Sequence, residues 1–238
     1  MRLAIMQPYL FPYLGYFQLA SAVDKFVFYD DVHFIKNGWI NRNRILDNGL
    51  ASYFTVPLRN ASPNRLICEV ETAANTDHWR RKLIGHLQHA YSRAPGLDTI
   101  LPMVEQTLNL PTTRISRLAI FSVTRVFQYV GAGPDWVLAS ERDYANSHLH
   151  GQNRVLDICR KEGATSYVNL PGGKTLYDAA TFDRNGIKLQ YIAPRLDPYP
   201  QRGRGFVAGL SILDALMSLS REECKKRMTI AELEREHG

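Results

Sequence analysis

Short apolar runs alternate with segments of helical periodicity along this chain. The first run, Leu3–Met6, and the second, Lys25–Tyr29, have strand length and enclose a segment that suits one helix. This order predicts a βαβ unit at the N-terminus. Asp47-Asn48-Gly49 then separates two strand-like stretches and predicts a β-hairpin over residues 41–57.

The rest of the chain predicts a helical segment and then a second α/β portion. Apolar positions at helical spacing predict a helical segment at about 76–131, with helices at 76–93, 98–109 and 113–130. The later pattern predicts strands at 136–139, 166–170 and 187–192, and helices at 152–162, at 175–184 and from Ser211. Residues 66–70 predict a further short strand, and residues 220–238 a charged helical tail. We therefore predict one α/β domain over residues 1–238, a Rossmann-like three-layer sandwich.

Composition narrows the class of protein. No apolar run approaches the ~20 residues that a membrane-spanning helix needs, and the N-terminus lacks a signal-peptide pattern, so we expect a cytoplasmic protein without a membrane partner. Three widely separated cysteines form neither a disulfide framework nor a zinc motif. A net charge of +6 suits a phosphate-bearing partner such as a nucleotide, an activated sugar or RNA.

Candidate acid–base residues follow the first two predicted strands. In βαβ units ligands bind beyond the carboxyl ends of the strands. Gln7 follows the first strand, and Asp30 and Asp31 follow the second, with His33 two residues later. We predict that Asp30 or Asp31, helped by His33, acts as a general base, although turn or helix-capping aspartates would give the same pattern.

An aromatic, proline-stiffened loop and a basic strand supply candidate ligand contacts. Tyr9, Tyr13 and Tyr16 surround Pro8 and Pro12, and Trp39 follows later; we predict that these rings stack on a base or a sugar. The alternative is an aromatic plug that closes one end of the sheet. Arg42 and Arg44 share one face of the hairpin, where guanidinium groups suit phosphate. We add polar contacts at the following residues: Lys36, Asn41, His148, Asn153, Lys174 and Gln201.

Other chemistries find little support in the sequence. His148 and His150 have no third metal ligand nearby, so we predict no metal site, and we predict no bound cofactor. Pro171-Gly172-Gly173-Lys174 could bind phosphate through its amides, but it lacks the longer glycine loop of a Walker motif and is equally a plain turn. Tyr199, Gln201 and Arg204 could close over a ligand. No nucleophile motif is present, which leaves positioning and general-base catalysis.

The N-terminal block resembles the WbqC-like family. The specific motifs are Gln7-Pro8-Tyr9, Gly15-Tyr16-Phe17, Asp30-Asp31-Val32 and Trp39-Ile40-Asn41-Arg42-Asn43-Arg44. Supporting matches continue through Thr55-Val56-Pro57, Gly172-Gly173-Lys174 and Tyr199-Pro200-Gln201 to about residue 217. Two departures stand out. Met6 occupies the position where the family has a histidine, and the charged tail has no counterpart.

The resemblance implies a function in making bacterial surface saccharides, such as O-antigen and lipopolysaccharide, or secondary metabolites. It implies a transferase that acts on a nucleotide-activated amino sugar or a related acceptor, with acyl or aminoacyl (glycyl) transfer to an amine. An acyl carrier or an aminoacyl-tRNA would be the donor. Two alternatives stay open. One is a non-catalytic accessory protein that binds a ligand or RNA, and the other is a metal-dependent hydrolase with a divalent ion near Asp31, His33 or His148.

Overall fold

A six-stranded sheet forms the centre of the molecule. The computed structural model describes residues 1–74, 76–203, 205–230 and 232–235. The sheet strands are β1 (Arg2–Met6), β2 (Lys25–Phe28), β7 (Asp135–Leu138), β8 (Ser166–Asn169), β9 (Lys188–Ala193) and β10 (Glu232–Arg235). Their spatial order is β10-β9-β8-β1-β2-β7, and all neighbours are parallel except β10 and β9.

The order of the five parallel strands confirms the predicted Rossmann-like class. Taken in chain order, they occupy the sheet as 3-2-1-4-5, which is the doubly wound arrangement. The chain changes direction between β1 and β8, so the switch point lies beside Gln7 and beyond Asn169. Ligands in such sheets bind at the carboxyl edge near this point.

Helices cover both faces of the sheet. One core contains residues of α1 (Leu14–Ser21), α2 (Thr76–Ala90), α3 (Leu97–Leu108), α4 (Ile115–Val130), α8 (Ile212–Ser218) and α9 (Arg221–Thr229). The other contains α5 (Ala139–Arg142), α6 (Gly151–Lys161) and α7 (Ala179–Arg184). The two cores are the outer layers of a three-layer sandwich. Within the described residues no helix is both long enough and apolar enough to cross a membrane.

A long insertion between β2 and β7 holds the hairpin and the helical segment. The predicted hairpin forms from β3 (Arg42–Asp47) and β4 (Leu50–Thr55). Asn48 and Gly49 both have positive φ, at 49° and 79°, as a two-residue hairpin turn requires. A second small ladder joins β5 (Leu58–Arg59) to β6 (Glu71–Thr72).

Two local predictions were wrong. Residues 66–70 are not a strand, because Ile67–Glu69 is a 3₁₀ helix whose Ile67 and Cys68 amides pair with the loop after β2. The predicted helix 175–184 splits into a 3₁₀ helix, Pro171–Leu176, and α7, because the Asp178 side chain accepts a hydrogen bond from the Thr181 amide and caps α7 there.

The C-terminal tail differs as well. Among the described residues of the tail, Arg221–Thr229 form a helix, and its Cys224 and Met228 side chains are buried in the first core. The chain then extends along β9 as β10, because the free edge of β9 offers unpaired backbone groups. The last predicted tail residues, 236–238, lie outside the described part of the chain.

Candidate functional site

A cleft opens at the carboxyl edge of β1 and β2, where the sequence predicts a ligand. Its volume is about 580 Å³. We call it the Asp31 cleft, and the polar and aromatic side chains that line it are Gln7, Tyr29, Asp31, His33, Ser147, His150, Gln152, Arg154 and Tyr177. A second hollow of about 300 Å³ shares Asp31 and Arg154 with the cleft and continues it toward Ser140 and Cys68.

Asp31 is held in the cleft by Arg154. The guanidinium donates to Asp31 Oδ2 at 2.5 Å and to the Asp31 carbonyl at 3.2 Å, and its Nε donates to Asn146 Oδ1 at 3.0 Å. Arg154 comes from α6 and is buried. These hydrogen bonds fix the position of the Asp31 carboxylate in the cleft.

The second carboxylate oxygen of Asp31 lacks a partner. Asp31 Oδ1 is buried and accepts no hydrogen bond from the described residues. An unsatisfied buried acceptor costs free energy, about 1–3 kcal/mol, more if charged. A donor on a bound ligand, such as an amine or a hydroxyl, would satisfy it.

Asp30 lies deeper than Asp31 and serves a different contact. Its Oδ1 accepts from the Ser140 amide at 2.9 Å, and its Oδ2 accepts from Ser140 Oγ at 2.6 Å. Burial raises the pKa of this carboxyl, although the Ser140 hydrogen bonds oppose the shift. Asp30 lines neither hollow, and its hydrogen bonds to Ser140 join the end of β2 to α5.

Histidines and tyrosines complete the walls of the cleft. His33 is exposed at its rim, and His150 is the N-cap residue of α6, with no side-chain hydrogen bond to the helix. The Tyr29 ring lies 5.0 Å from the Arg154 guanidinium, and burial raises its pKa to about 12. Tyr29 is therefore a neutral phenol at physiological pH.

Cys68 borders the smaller hollow but is a poor nucleophile. Burial raises the pKa of its thiol to about 11, and the charges of Asp30, Glu69 and Asp31 add to the shift. The reactive form of cysteine is the thiolate, which is scarce at neutral pH here. In the part of the chain that the structure describes, no three His, Cys, Asp or Glu side chains group closely enough to hold a metal ion.

The aromatic loop builds a separate cavity. It measures about 310 Å³, and we call it the aromatic pocket; its lining residues are Tyr9, Pro12, Tyr13, Trp39, Asn43 and Gly209. None of them lines the Asp31 cleft. Tyr9, Tyr13 and Trp39 therefore line a different cavity from Asp31.

The two hairpin arginines differ in their contacts. Arg42 lies 4.8 Å from the Tyr53 ring centroid and donates to the carbonyls of Asn37 and Gly38, which occupies its guanidinium. Arg44 lies 5.6 Å from the Trp39 centroid and donates to the Gly209 carbonyl at 3.4 Å. Arg44 therefore sits against two residues of the aromatic pocket.

Two residues that were predicted to contact a ligand instead make hydrogen bonds within the protein. Tyr16 is fully buried, and its hydroxyl donates to the Gln7 carbonyl at 3.0 Å, so it supports the loop from below. Gln201 donates to Asp214 Oδ2 at 2.8 Å and to the Val207 carbonyl, and it holds the late loop in place. Arg204 of the same loop lies outside the described residues.

The other predicted contacts lie outside both sets of lining residues. The Asn41 side chain donates to the Val56 carbonyl, and Lys174 lies 5.4 Å from the Tyr191 ring centroid on a 3₁₀ helix. Three more, Lys36, His148 and Asn153, are exposed. The structure thus brings together Gln7, Asp31 and His33 in one cavity, and Tyr9, Tyr13 and Trp39 in the other.

Arg154 and Asn43 are the important residues that sequence reasoning missed. Arg154 precedes Ile158 by four residues, so it shares the buried face of α6, and that spacing was the available signal. Asn43 is buried and donates to the carbonyls of Leu10 and Phe11. Only the folded structure shows these contacts of Asn43, because strand alternation assigns Asn43 to a face of the hairpin but does not identify its partners.

The sequence has relatives along almost its whole length. The chain is 29% identical over 224 residues to the uncharacterized protein Rv1507c of Mycobacterium tuberculosis, an alignment that covers 93% of this chain and 95% of that protein. No solved structure matches. The sequence model of the WbqC-like protein family matches residues 7–226, a range that includes every residue lining the two cavities. The chain therefore belongs to the WbqC-like protein family.

Proposed function

We propose that this protein is a transferase of surface-saccharide biosynthesis and that the Asp31 cleft binds the amine of a nucleotide-activated amino sugar. Family membership supports the biosynthetic setting. The observation behind the site is the buried, unpartnered Oδ1 of Asp31, on a carboxylate that Arg154 already fixes. A ligand amine supplies the missing hydrogen-bond donor and keeps its nitrogen lone pair for the attack.

The reaction is an acyl or aminoacyl transfer. The amine nitrogen attacks the carbonyl carbon of an activated donor, such as a thioester of an acyl carrier or an ester of an aminoacyl-tRNA. A C–N bond forms, the C–S or C–O bond breaks, and the leaving sulfur or oxygen takes up a proton. The proton lost by the amine passes to the side chain that faces it.

Two side chains of the cleft divide this work. Asp31 accepts the amine hydrogen bond and orients the nitrogen lone pair, because Arg154 holds its carboxylate in place. His33 lies at the exposed rim of the cleft, where its imidazole accepts the proton that the amine loses and passes it to water. Asp30 supports the site through Ser140 and does not touch substrate.

The test compares variants in a product assay. The purified protein is incubated with nucleotide-activated amino sugars and acyl or aminoacyl donors, and acylated sugar is measured by mass spectrometry. We expect Asp31→Asn to reduce turnover about 100-fold or more, because general-base and orienting contributions are of that size. The matched control is Asp98→Asn, an exposed residue of α3. Wild-type turnover by Asp31→Asn would refute the assignment.

A further inference from the structure

Arg44, which lies against Trp39 and Gly209 of the aromatic pocket, has no counter-ion among the described residues. Among the described residues Arg44 forms no ion pair, and its Nε is buried without a hydrogen-bond partner. Its one side-chain hydrogen bond in that part of the chain is the 3.4 Å contact with the Gly209 carbonyl. Arg44 is half-buried, and a bound anion would accept the hydrogen bond that its Nε does not make within the described residues.

The walls of the pocket suit a flat ring. Tyr9, Tyr13 and Trp39 supply aromatic surface, and Pro12 adds an apolar one. A volume of about 310 Å³ exceeds what one planar ring needs and leaves room for a substituent. Aromatic side chains bind such rings at a low cost in conformational entropy.

The loop that forms the pocket is strained and firmly held. Phe11 has a φ of 41°, which is rare for a residue with a side chain. The Phe11 amide donates a hydrogen bond to Ser122 Oγ at 2.9 Å, and the Phe11 carbonyl accepts hydrogen bonds from the Asn43 and Ser211 side chains. These contacts hold the strained backbone in place. Strain that the surroundings maintain in this way is concentrated at ligand-binding sites.

The loop after β1 lines both the pocket and the Asp31 cleft. Gln7 lines the cleft and Tyr9 lines the pocket, and the two are separated by one residue. Their Cα atoms are at most about 7 Å apart, because extended backbone spans ~3.3–3.6 Å per residue. A nucleotide-activated sugar is longer than this separation.

We propose that the aromatic pocket binds the nucleobase of the nucleotide-activated sugar, with Arg44 on its phosphate, while the amino sugar occupies the Asp31 cleft. This assignment rests on the proposed function for the sugar, but the nucleotide end can be tested without any turnover. It also defines separate tasks for the two cavities, recognition in one and chemistry in the other.

The experiment measures nucleotide binding by tryptophan fluorescence. The probes are UMP, CMP, AMP, GMP and dTMP, each beside its nucleoside, and Trp39→Phe identifies the signal of the pocket. We expect saturable quenching by at least one nucleotide, at least tenfold weaker binding of its nucleoside, and a loss of that difference in Arg44→Met. The matched control is Arg59→Met, which removes the same charge from an exposed position. Thermal unfolding verifies that each variant is folded.

Two results would overturn the proposal. The first is no saturable quenching by any of the five nucleotides, or unchanged nucleotide affinity in Arg44→Met. The second concerns the shared ligand. The nucleoside diphosphate that carries a hexosamine should bind more tightly than the same nucleoside diphosphate without the sugar, and Asp31→Asn should remove that advantage in affinity. An advantage that persists in Asp31→Asn would separate the pocket from the cleft. Nucleotide binding without transfer activity would refute the proposed transferase function and would leave the nucleotide-binding proposal standing.

Discussion

Replacement of Arg154 by methionine tests whether the ion pair with Asp31 is the main support of the cleft. The variant keeps an apolar stem of similar length but removes three hydrogen bonds, two to Asp31 and one to Asn146. Removing one partner of a buried ion pair costs about 3–5 kcal/mol. Asp31 keeps 20% of its side chain exposed to the cleft, so we expect the lower end of that range, about 3 kcal/mol.

A double-mutant cycle separates the pair from the packing of Arg154. Urea unfolding gives the free energy of unfolding for Arg154→Met, Asp31→Asn and the double variant. If the unpaired carboxylate is the cause, the double variant loses less stability than the sum of the two single variants, by about 1 kcal/mol or more. Arg117→Met is the control, because its pair with Glu141 is exposed and is worth about 1 kcal/mol at most. Additivity within about 0.5 kcal/mol would refute the coupling.

Three further substitutions test the packing and the buried charges. Gly96→Ala places a Cβ 2.4 Å from the Leu216 carbonyl oxygen, and because backbone cannot yield easily we expect a loss of about 1–3 kcal/mol in urea unfolding. Gly85→Ala, inside α2 with no atom within 4 Å of the new Cβ, should instead gain about 0.5–1 kcal/mol; a loss there would contradict the helix-propensity argument. Burial raises the pKa of Glu162, but hydrogen bonds from Lys25 and two other side chains outweigh it and leave the pKa below its ordinary value of 4.5. A lowered carboxyl pKa stabilises the fold above the unfolded pKa, so the stability gap between wild type and Glu162→Gln should be full above pH 4.5 and shrink as the pH falls below it. A gap that does not change with pH would refute this.

The parts of the fold that the sequence predicted are those with strong local patterns. The apolar runs of β1 and β2 and the Asn48-Gly49 turn appear where expected, because buried parallel strands and two-residue turns have few alternatives. The C-terminal tail shows where prediction from local sequence patterns fails. Its charged residues have helical spacing, yet β10 forms because β9 offers a free edge, and no local pattern reveals that edge.

The candidate site was predictable in part, for the same reason. Asp31 and His33 follow a strand that the sequence identifies, and the topology rule places them on a cleft. Arg154 comes from a helix more than a hundred residues later, and its approach to Asp31 depends on where α6 crosses the sheet. The different contacts of Asp30 and Asp31 likewise depend on Ser140 in α5, directly after β7, which only the assembled sheet brings near Asp30.

The insertion between β2 and β7 has a consequence for how the protein is synthesised. Phe28 pairs beside Leu138, so one edge of β2 has no neighbour until the ribosome has made all the residues between them. At roughly 5–20 residues per second, the interval lasts about 5–20 s. During that time a strand of three consecutive phenylalanine and valine side chains, Phe26-Val27-Phe28, is open on one side to other nascent chains. Yield in cells should therefore depend on translation speed and chaperone supply through this segment, even though the finished sheet covers it completely.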